Sequence, residues 1–460
     1  MVTRAPPRHA AVAGRGVVDG NVKLDRTLGL GSVVLFGLAY MAPMIVLGTF
    51  GTLATASRGT TAMSYLIAAA AIFLTAMSYC VMSRVHPVAG SAYSYARRAI
   101  GPGIGFLVGW AVLLDYIFLP MVIWLIGAAY LAFAFPGVPG GVWIIGFIVL
   151  TSAINIVGIA CANRVNIVLM LVQMAVLAAF LGLAARYVLL LNGPGGLVSV
   201  TPFFTAGVPF SASVAGAAIA AYSFLGFDAV TTLAEETRDA RRIMPKAILV
   251  IALGSGLIFV LSAYLAQLAH PGAAFASTDA AAAEVARAIG GDLFVTVFLA
   301  TLVVAQFTSG LAAQASVGRL LYAMGRDRVL PPAFFGRLHP RWLTPALNLL
   351  LVGGIGLAAL AMDVATSASF INFGAFLGFA TVNLSVIALY LKGDRRIRAL
   401  GALAGVVVPA LGAVCDIVLL WHLDRHARLL GLAWLALGVA YLGCRTRGFR
   451  RTPPDMEFAG

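Results

Sequence analysis

Long runs of apolar residues follow one another along almost the whole chain, separated by short polar segments. A helix needs about 20 mostly apolar residues to cross the hydrocarbon core of a bilayer. Twelve runs of about that length can be placed; they start near Gly31, Ala62, Gly103, Gly140, Val165, Phe210, Ala247, Asp292, Pro345, Ser367, Gly401 and Ala427. Regular alternation of apolar and polar residues, typical of barrel strands, is not seen. The pattern predicts an all-α polytopic membrane protein with about twelve transmembrane spans.

No polar linker divides the apolar runs, so the sequence predicts one membrane domain. We place this domain at residues 31–444, between an N-terminal tail at 1–30 and a C-terminal tail at 445–460. The first thirty residues are basic and polar, and a run long enough to stay in the membrane follows them, so no cleavable signal peptide is expected. Composition agrees, because 61% of the 460 residues are hydrophobic and only 10% are charged. Soluble domains average roughly 45–50% apolar and about 25% charged residues.

The basic residues lie mainly on one side of the predicted membrane domain. Of 31 Lys and Arg residues, only Arg58, Arg186, Arg287, Arg425 and Arg428 fall on the side opposite the termini. Cytoplasmic loops retain Lys and Arg, so both termini are expected to be cytoplasmic. The net charge of +14 is then explained by loops that face anionic lipid headgroups, and no nucleic-acid partner is predicted.

Two spans carry helix-breaking residues near their middle. Span one reads GSVVLFGLAYMAPMIVLGTFG, and Pro43 lacks the N–H that would continue the helix, so a break is expected around Ala39–Pro43. Span six reads AYSFLGFDAVTTLAEET, with Gly226 at its centre and Asp228 two residues later. Either span alone could hold a packing kink. Broken helices at corresponding places in two halves instead indicate a transport site, because their free N–H and C=O groups bind the charged ends of a solute.

The chain lacks the motifs of other membrane functions. It has no GxSxG or HExxH motif and no GxxxxGK[ST] loop, so neither an enzyme nor direct use of ATP is expected. Four cysteines, with no CxxC pair, indicate neither a disulfide framework nor a metal site. No cofactor is predicted. An ion gradient is the remaining energy source, while a channel or a nutrient sensor could share the fold.

Acidic and aromatic residues inside the spans suggest a cationic solute. A dication needs anions or aromatic faces at both ends. The candidates are the acids Asp115, Asp228 and Asp416 and the aromatic residues Tyr40, Tyr93, Tyr116, Tyr222, Phe224 and Phe227. Each acid also has a structural interpretation: Asp115 could fix helix packing, Asp228 could cap the resumed helix, and Asp416 lies outside the first ten spans.

Three phrases, GSAYSYARRAIGPGIGFLVGW, SFLGFDAVTTLAEET and RLLYAMGRDRVLP, resemble the amino acid–polyamine–organocation transporter superfamily. LLDYIFLP and RLHPRWLTPALN are similar to its bacterial putrescine importers. The resemblance implies two inverted five-helix repeats, the LeuT-like arrangement, followed by two C-terminal helices. It also implies that backbone groups of the two breaks bind the solute, at Gly37, Leu38, Ala39, Tyr40, Met41 and Ala42 and at Ser223, Phe224, Leu225, Gly226, Phe227 and Asp228.

Two positions depart from the family pattern. Putrescine importers of the family carry an acid where this chain has Gly48, and many amino acid carriers have a lysine where this chain has Gln173. The resemblance places a cation site near Thr308 and Ser309, although Ser and Thr also bond to their own helix backbone. Proton and sodium coupling therefore both stay open.

Glu235 and Glu236 lie at the predicted cytoplasmic end of span six. There they could pair with Arg84, Arg97 or Arg326 and close an inner gate. A solvated helix end is the alternative.

The sequence thus predicts a secondary transporter of the bacterial inner membrane that imports putrescine or a related polyamine by ion-coupled alternating access. The alternative is a permease for a neutral or cationic amino acid, or an exchanger of amino acids and amines. Monomer and homodimer are both open.

Overall fold

The computed structural model describes residues 15–18, 21–24, 26–88, 91–158, 163–326, 329–448 and 450. In this part of the chain, eleven helices are long and apolar enough to cross a membrane, and one shorter apolar helix covers Ala346–Ala361. The prediction of a multi-span membrane protein whose spans are α-helical is confirmed. A two-stranded antiparallel hairpin, β1 (Arg15–Val18) and β2 (Asn21–Leu24), lies outside the spans, in the predicted N-terminal tail.

The first five predicted spans correspond to eight helices, because span one is broken and a short helix precedes span three. Span one comprises α1 to α3, spans two to five are α4, α6, α7 and α8, and α5 is the short helix. The bounds are α1 Leu30–Met41, α2 Ile45–Gly48, α3 Phe50–Ala56, α4 Thr61–Val85, α5 Ser91–Ala99, α6 Pro102–Ala134, α7 Gly140–Val157 and α8 Asn163–Asn192.

Spans six to twelve contain α9, α10, α11, α13, α14, α16 and α17 in that order, and a π-helix at Leu403–Val407 precedes α16 in span eleven. Span six continues beyond α9 in two 3-10 helices, Ala221–Phe224 and Ala229–Glu235. The bounds are α9 Phe210–Ala220, α10 Ala240–Ala269, α11 Ala281–Arg326, α12 Pro332–Phe335, α13 Ala346–Gly356, α14 Val364–Leu391, α15 Arg395–Arg398, α16 Val408–Trp421 and α17 Arg425–Arg445.

Two spans differ in length from the predicted pattern. Span nine is short because α13 ends at Gly356 and continues only as a 3-10 helix to Ala361. Conversely, α11 begins before the predicted start at Asp292, and Gly291 bends it with a φ of 70°. Glycine adopts this left-handed conformation without the steric cost of a side chain. The bend at Gly291 coincides with the predicted start of the span at Asp292.

Helices at corresponding positions in the two halves pack against each other: α4 against α10, α6 against α11, and α7 against α13. This pairing agrees with two five-helix repeats. The last helix is fixed to the repeats by two indole rings. Trp110 Nε1 donates to the carbonyl of Trp434 at 2.9 Å, and Trp434 Nε1 donates to the carbonyl of Trp110 at 2.7 Å.

Candidate transport site

The first break occurs where the sequence predicts it. α1 ends at Met41, Ala42 takes the left-handed conformation (φ 47°, ψ 86°), and α2 starts at Ile45. Pro43 lies between the two helices and has no N–H to donate. A helix that ends here leaves its last carbonyl groups without intrahelical donors, so they are available to a solute.

The second break is formed by span six. α9 gives way to a 3-10 helix that ends at Phe224, Leu225 is extended, and Gly226 has a φ of 123°. A Cβ atom on Gly226 would lie 2.6 Å from Tyr40 Cδ1 and 2.9 Å from Met41 Cγ. The two breaks therefore touch each other, and Gly226 is required by its backbone conformation as well as by this close approach.

A cavity of about 570 Å³ extends from the two breaks towards the end of the bundle where span six finishes. Eight of the predicted site residues line it: Tyr40, Tyr93, Asp115, Tyr116, Leu225, Gly226, Asp228 and Glu236. Residues that the sequence pattern did not assign to the site also line it, including Phe36, Tyr79, Ser91, Arg319, Tyr322 and Phe379. Ser91 and Tyr93 both belong to the GSAYSY motif. This motif is the sequence feature that could have identified this wall of the cavity.

The two acids in the cavity have different surroundings. The Ser91 hydroxyl donates to Asp228 Oδ2 at 3.2 Å and lies 3.5 Å from the Tyr79 hydroxyl. No described residue forms a hydrogen bond or ion pair with the Asp115 carboxyl group, and the Asp228 carboxyl group acts on it electrostatically. Both acids lie within electrostatic range of Tyr40 and Tyr116. The cavity thus combines two carboxyl groups with tyrosine rings.

Aromatic rings pack against one another behind one wall of the cavity. Phe227 lies 5.4 Å from Tyr79 and 5.1 Å from Phe379 between ring centroids, in edge and tilted arrangements. Phe227 itself is fully buried and does not line the cavity. It supports the two rings that do.

Other predicted site residues lie outside the cavity lining. Phe224 packs against Phe259 with ring centroids 5.0 Å apart, on the side of α10. Gly37 faces Ile251 and Val230, where a Cβ atom would meet side chains at 2.4 and 2.9 Å. Ala39, Met41, Ala42 and Tyr222 belong to the breaks but are not among the lining residues.

The predicted coupling residues are spread over α8 and α11. Gln173 is buried on α8, and no described group donates to its Oε1 atom. The Thr308 hydroxyl lies 3.0 Å from the Val304 carbonyl of its own helix, and Ser309 is half-buried. The cation site stays a prediction.

The predicted gate residues are only partly described. Glu236 lines the mouth of the cavity together with Arg319 and Arg326. One acidic and two basic side chains therefore surround the same opening. Glu235 ends the 3-10 helix, and its side chain lies outside the described residues.

Comparison with known proteins assigns the chain to a family. Residues 31–415 match the amino acid permease family. This chain belongs to that family. It is 38% identical over 438 residues to the low-affinity putrescine importer PlaP of Escherichia coli K12, covering 95% of this chain and 97% of the relative.

Relatives with lower sequence identity are named as transporters of other solutes. The permease is 26% identical over 443 residues to the branched-chain amino acid permease BcaP of Bacillus subtilis, covering 92% of this chain and 93% of that protein. It is 27% identical over 438 residues to the methylthioribose transporter of the same organism, covering 90% and 92% of the two chains. The permease is a multi-pass transporter of the inner membrane, and it is not an enzyme.

Proposed function

We propose that this permease imports putrescine or a closely related polyamine. The main observation in support is that Asp115 and Asp228 line one cavity beside the two helix breaks. An ammonium group taken out of water without an anionic or π partner costs several kcal/mol. A diamine has two such groups, and this cavity offers a carboxyl group for each.

The two carboxyl groups have different tasks. Asp228 follows the break and is oriented by the Ser91 hydroxyl, so it is preorganised for one ammonium group. Asp115 has no described hydrogen-bond donor and is free to bind the other. Tyr40 and Tyr116 add aromatic faces that attract a cation. The 38% identity to a putrescine importer supports the same substrate class.

The cavity reaches the end of the bundle that the distribution of basic residues predicts to be cytoplasmic. We therefore propose that both termini are cytoplasmic, that residues 31–444 form the transport domain between two tails, and that the described conformation faces inward. Import requires alternating access driven by a proton or sodium gradient. Gln173, Thr308 and Ser309 remain candidates for coupling, and Glu236 for the inner gate.

A neutral amino acid is the competing substrate, and the break geometry favours it as a second candidate. Carbonyl groups at the end of α1 that lack intrahelical donors would suit the ammonium group of a zwitterion without any acidic side chain. The 26% identity to a branched-chain amino acid permease agrees with that alternative.

The test is uptake of labelled putrescine into proteoliposomes that contain the purified permease. We expect saturable uptake that unlabelled putrescine and spermidine inhibit and leucine does not. Uptake of labelled leucine without any effect of putrescine would contradict the polyamine assignment and support the amino acid alternative.

A further inference from the structure

A second acidic site lies outside the transport cavity. Asp416 on α16 is completely buried. Its Oδ2 atom accepts hydrogen bonds from Thr75 Oγ1 on α4 at 3.0 Å and from Asn383 Nδ2 on α14 at 2.9 Å. Asn383 Nδ2 also lies 2.9 Å from Thr75 Oγ1. One carboxyl group thus joins three helices.

Two buried oxygen atoms of this polar cluster receive no hydrogen bond from a described residue. Among the described residues, nothing donates to Asp416 Oδ1 or to Asn383 Oδ1, and both atoms are buried. Reversing the Asn383 amide would not help, because its oxygen would then face the carboxylate. A buried acceptor left unsatisfied costs about 1–3 kcal/mol, and a buried unpaired charge costs more.

No described cation neutralises Asp416. The helices packed against α16 include α4, α9 and α14. Among the described residues, Asp416 acts electrostatically on Tyr79 of α4 and on Cys415 of α16 itself. α9 has no ionisable residue. Neither Tyr79 nor Cys415 supplies a positive charge, so a deprotonated Asp416 would be an isolated buried anion.

A metal ion fits this cluster poorly. Hard cations such as calcium gather about six or more oxygen ligands. The backbone of α16 packs directly on the Asn383 amide, where a Cβ atom on Gly412 would lie 2.8 Å from Nδ2. A proton needs no such space. Placed on Asp416 Oδ1, it removes the charge from an oxygen atom that has no hydrogen-bond donor among the described residues.

The cluster is one helical turn away from the transport cavity on two helices. Thr75 precedes Tyr79 by four residues on α4, and Asn383 follows Phe379 by four residues on α14. Tyr79 and Phe379 line the cavity, and their ring centroids are 6.2 Å apart. Residues four apart lie on the same face of a helix. We therefore expect a change in the packing around Asp416 to move the cavity wall.

We propose that the cluster of Thr75, Asn383 and Asp416 is a proton-binding site coupled to transport. Asp416 takes a proton from water and holds it on Oδ1 while α4, α14 and α16 pack as described. It returns the proton to water when these helices separate during alternating access. The coupling rests on the proposed transport function, whereas the protonation does not.

Infrared spectroscopy tests the protonation without any substrate. At neutral pH, the spectrum of the wild-type permease minus that of Asp416→Asn should contain the carbonyl band of a protonated carboxyl group. The matched control is Asp292→Asn, which removes a 92% exposed carboxyl group, and its difference spectrum should contain only carboxylate bands. Carboxylate bands alone for Asp416→Asn would overturn the proposal.

A second variant keeps the test decisive if Asp416→Asn fails to reach the membrane. Thr75→Val removes a donor that favours the charged carboxylate. The protonated band should then persist to higher pH than in the wild-type protein. An unchanged pH response would show that this carboxyl group does not titrate in the cluster.

Coupling is tested in proteoliposomes with the membrane potential clamped. A gradient of about one pH unit, acid outside, can drive about tenfold accumulation at one proton per solute. We expect accumulation of putrescine by the wild-type protein and only equilibration, with exchange retained, by Asp416→Asn. Accumulation by Asp416→Asn equal to wild type, or accumulation driven by sodium alone, would overturn the coupling. Absence of putrescine uptake by the wild-type protein would instead refute the proposed substrate. The infrared result on the protonation of Asp416 would not be affected.

Discussion

The N–H group of Leu28 donates a hydrogen bond to the carbonyl of Glu236 at 3.0 Å. In return, the N–H of Arg238 donates to the carbonyl of Leu28 at 3.0 Å, and Leu28 forms a parallel β-bridge with Thr237. Leu28 lies just before α1, and Glu236 directly follows the last 3-10 helix of span six. The two broken spans are thus joined at the mouth of the cavity, and we expect them to move together.

Leu28→Pro removes the N–H group from this connection. One lost hydrogen bond is worth about 1 kcal/mol, or about fivefold in an equilibrium. We expect putrescine uptake to fall by about that factor at equal membrane levels. Leu30→Pro is the control, because Leu30 is the first residue of α1, where proline is tolerated. Equal uptake by both variants would show that the bridge does not matter for transport.

Asp115→Asn and Asp228→Asn test the binding of the two ammonium groups. Each should weaken putrescine transport by about tenfold to a thousandfold, or roughly 1.4–4 kcal/mol, because an ammonium group loses its counter-charge. Asp292→Asn should transport normally, since this carboxyl group is exposed. Concentration dependence of uptake provides the measurement. Full activity of both cavity variants would contradict the polyamine assignment.

Gly226→Leu should abolish uptake while the protein still reaches the membrane. The backbone at Gly226 has a φ of 123°, and a side chain would collide with Tyr40 and Met41. Overpacking of this kind costs about 1–3 kcal/mol. Gly254→Leu on α10 is the matched control, because a Cβ atom at Gly254 would meet no other atom within 4 Å. Preserved uptake by Gly226→Leu would remove this break from the site.

Ser91→Ala removes the hydroxyl group that donates to Asp228. A hydrogen bond to a charged group contributes about 1.5–3 kcal/mol, so the affinity for putrescine should fall by at least about tenfold. Thr232→Ala is the control, since this cavity-lining hydroxyl bonds to the Ala229 carbonyl of its own helix. Competition of unlabelled against labelled putrescine measures both. Similar affinities would mean that Ser91 does not orient Asp228.

Glu236→Gln tests the inner gate. If Glu236 pairs with a base when the gate closes, its neutralisation should favour inward-facing states. Ala323→Cys, placed in the cavity wall in a background without the four native cysteines, should then react faster with a maleimide. Asp239→Asn is the control, because Asp239 is exposed and pairs with Arg242. An unchanged labelling rate would leave Glu236 as a solvated residue at the helix end.

Local features of the sequence were enough to predict the spans and their breaks. Apolar runs predict membrane helices because an unsatisfied backbone has no place in lipid. Pro43 predicts the first break through its missing N–H, and Gly226 predicts the second through its conformational freedom. Asp115 and Asp228 were identified as candidates because acids are rare within membrane spans. These signals act within a few residues of one another, so a single sequence contains them.

Tertiary structure alone decided which side chains meet. Phe224 and Phe227 have neighbouring positions in span six, yet Phe224 packs against Phe259 of α10, Phe227 packs against Phe379 of α14, and neither lines the cavity. Asp416 seemed peripheral because it lies outside the first ten spans, but it bonds to Thr75, 341 positions away along the chain. Lipid-facing and protein-facing surfaces of these helices are both apolar, so periodicity does not reveal which face meets a neighbour. Packing of the helices fixes those contacts.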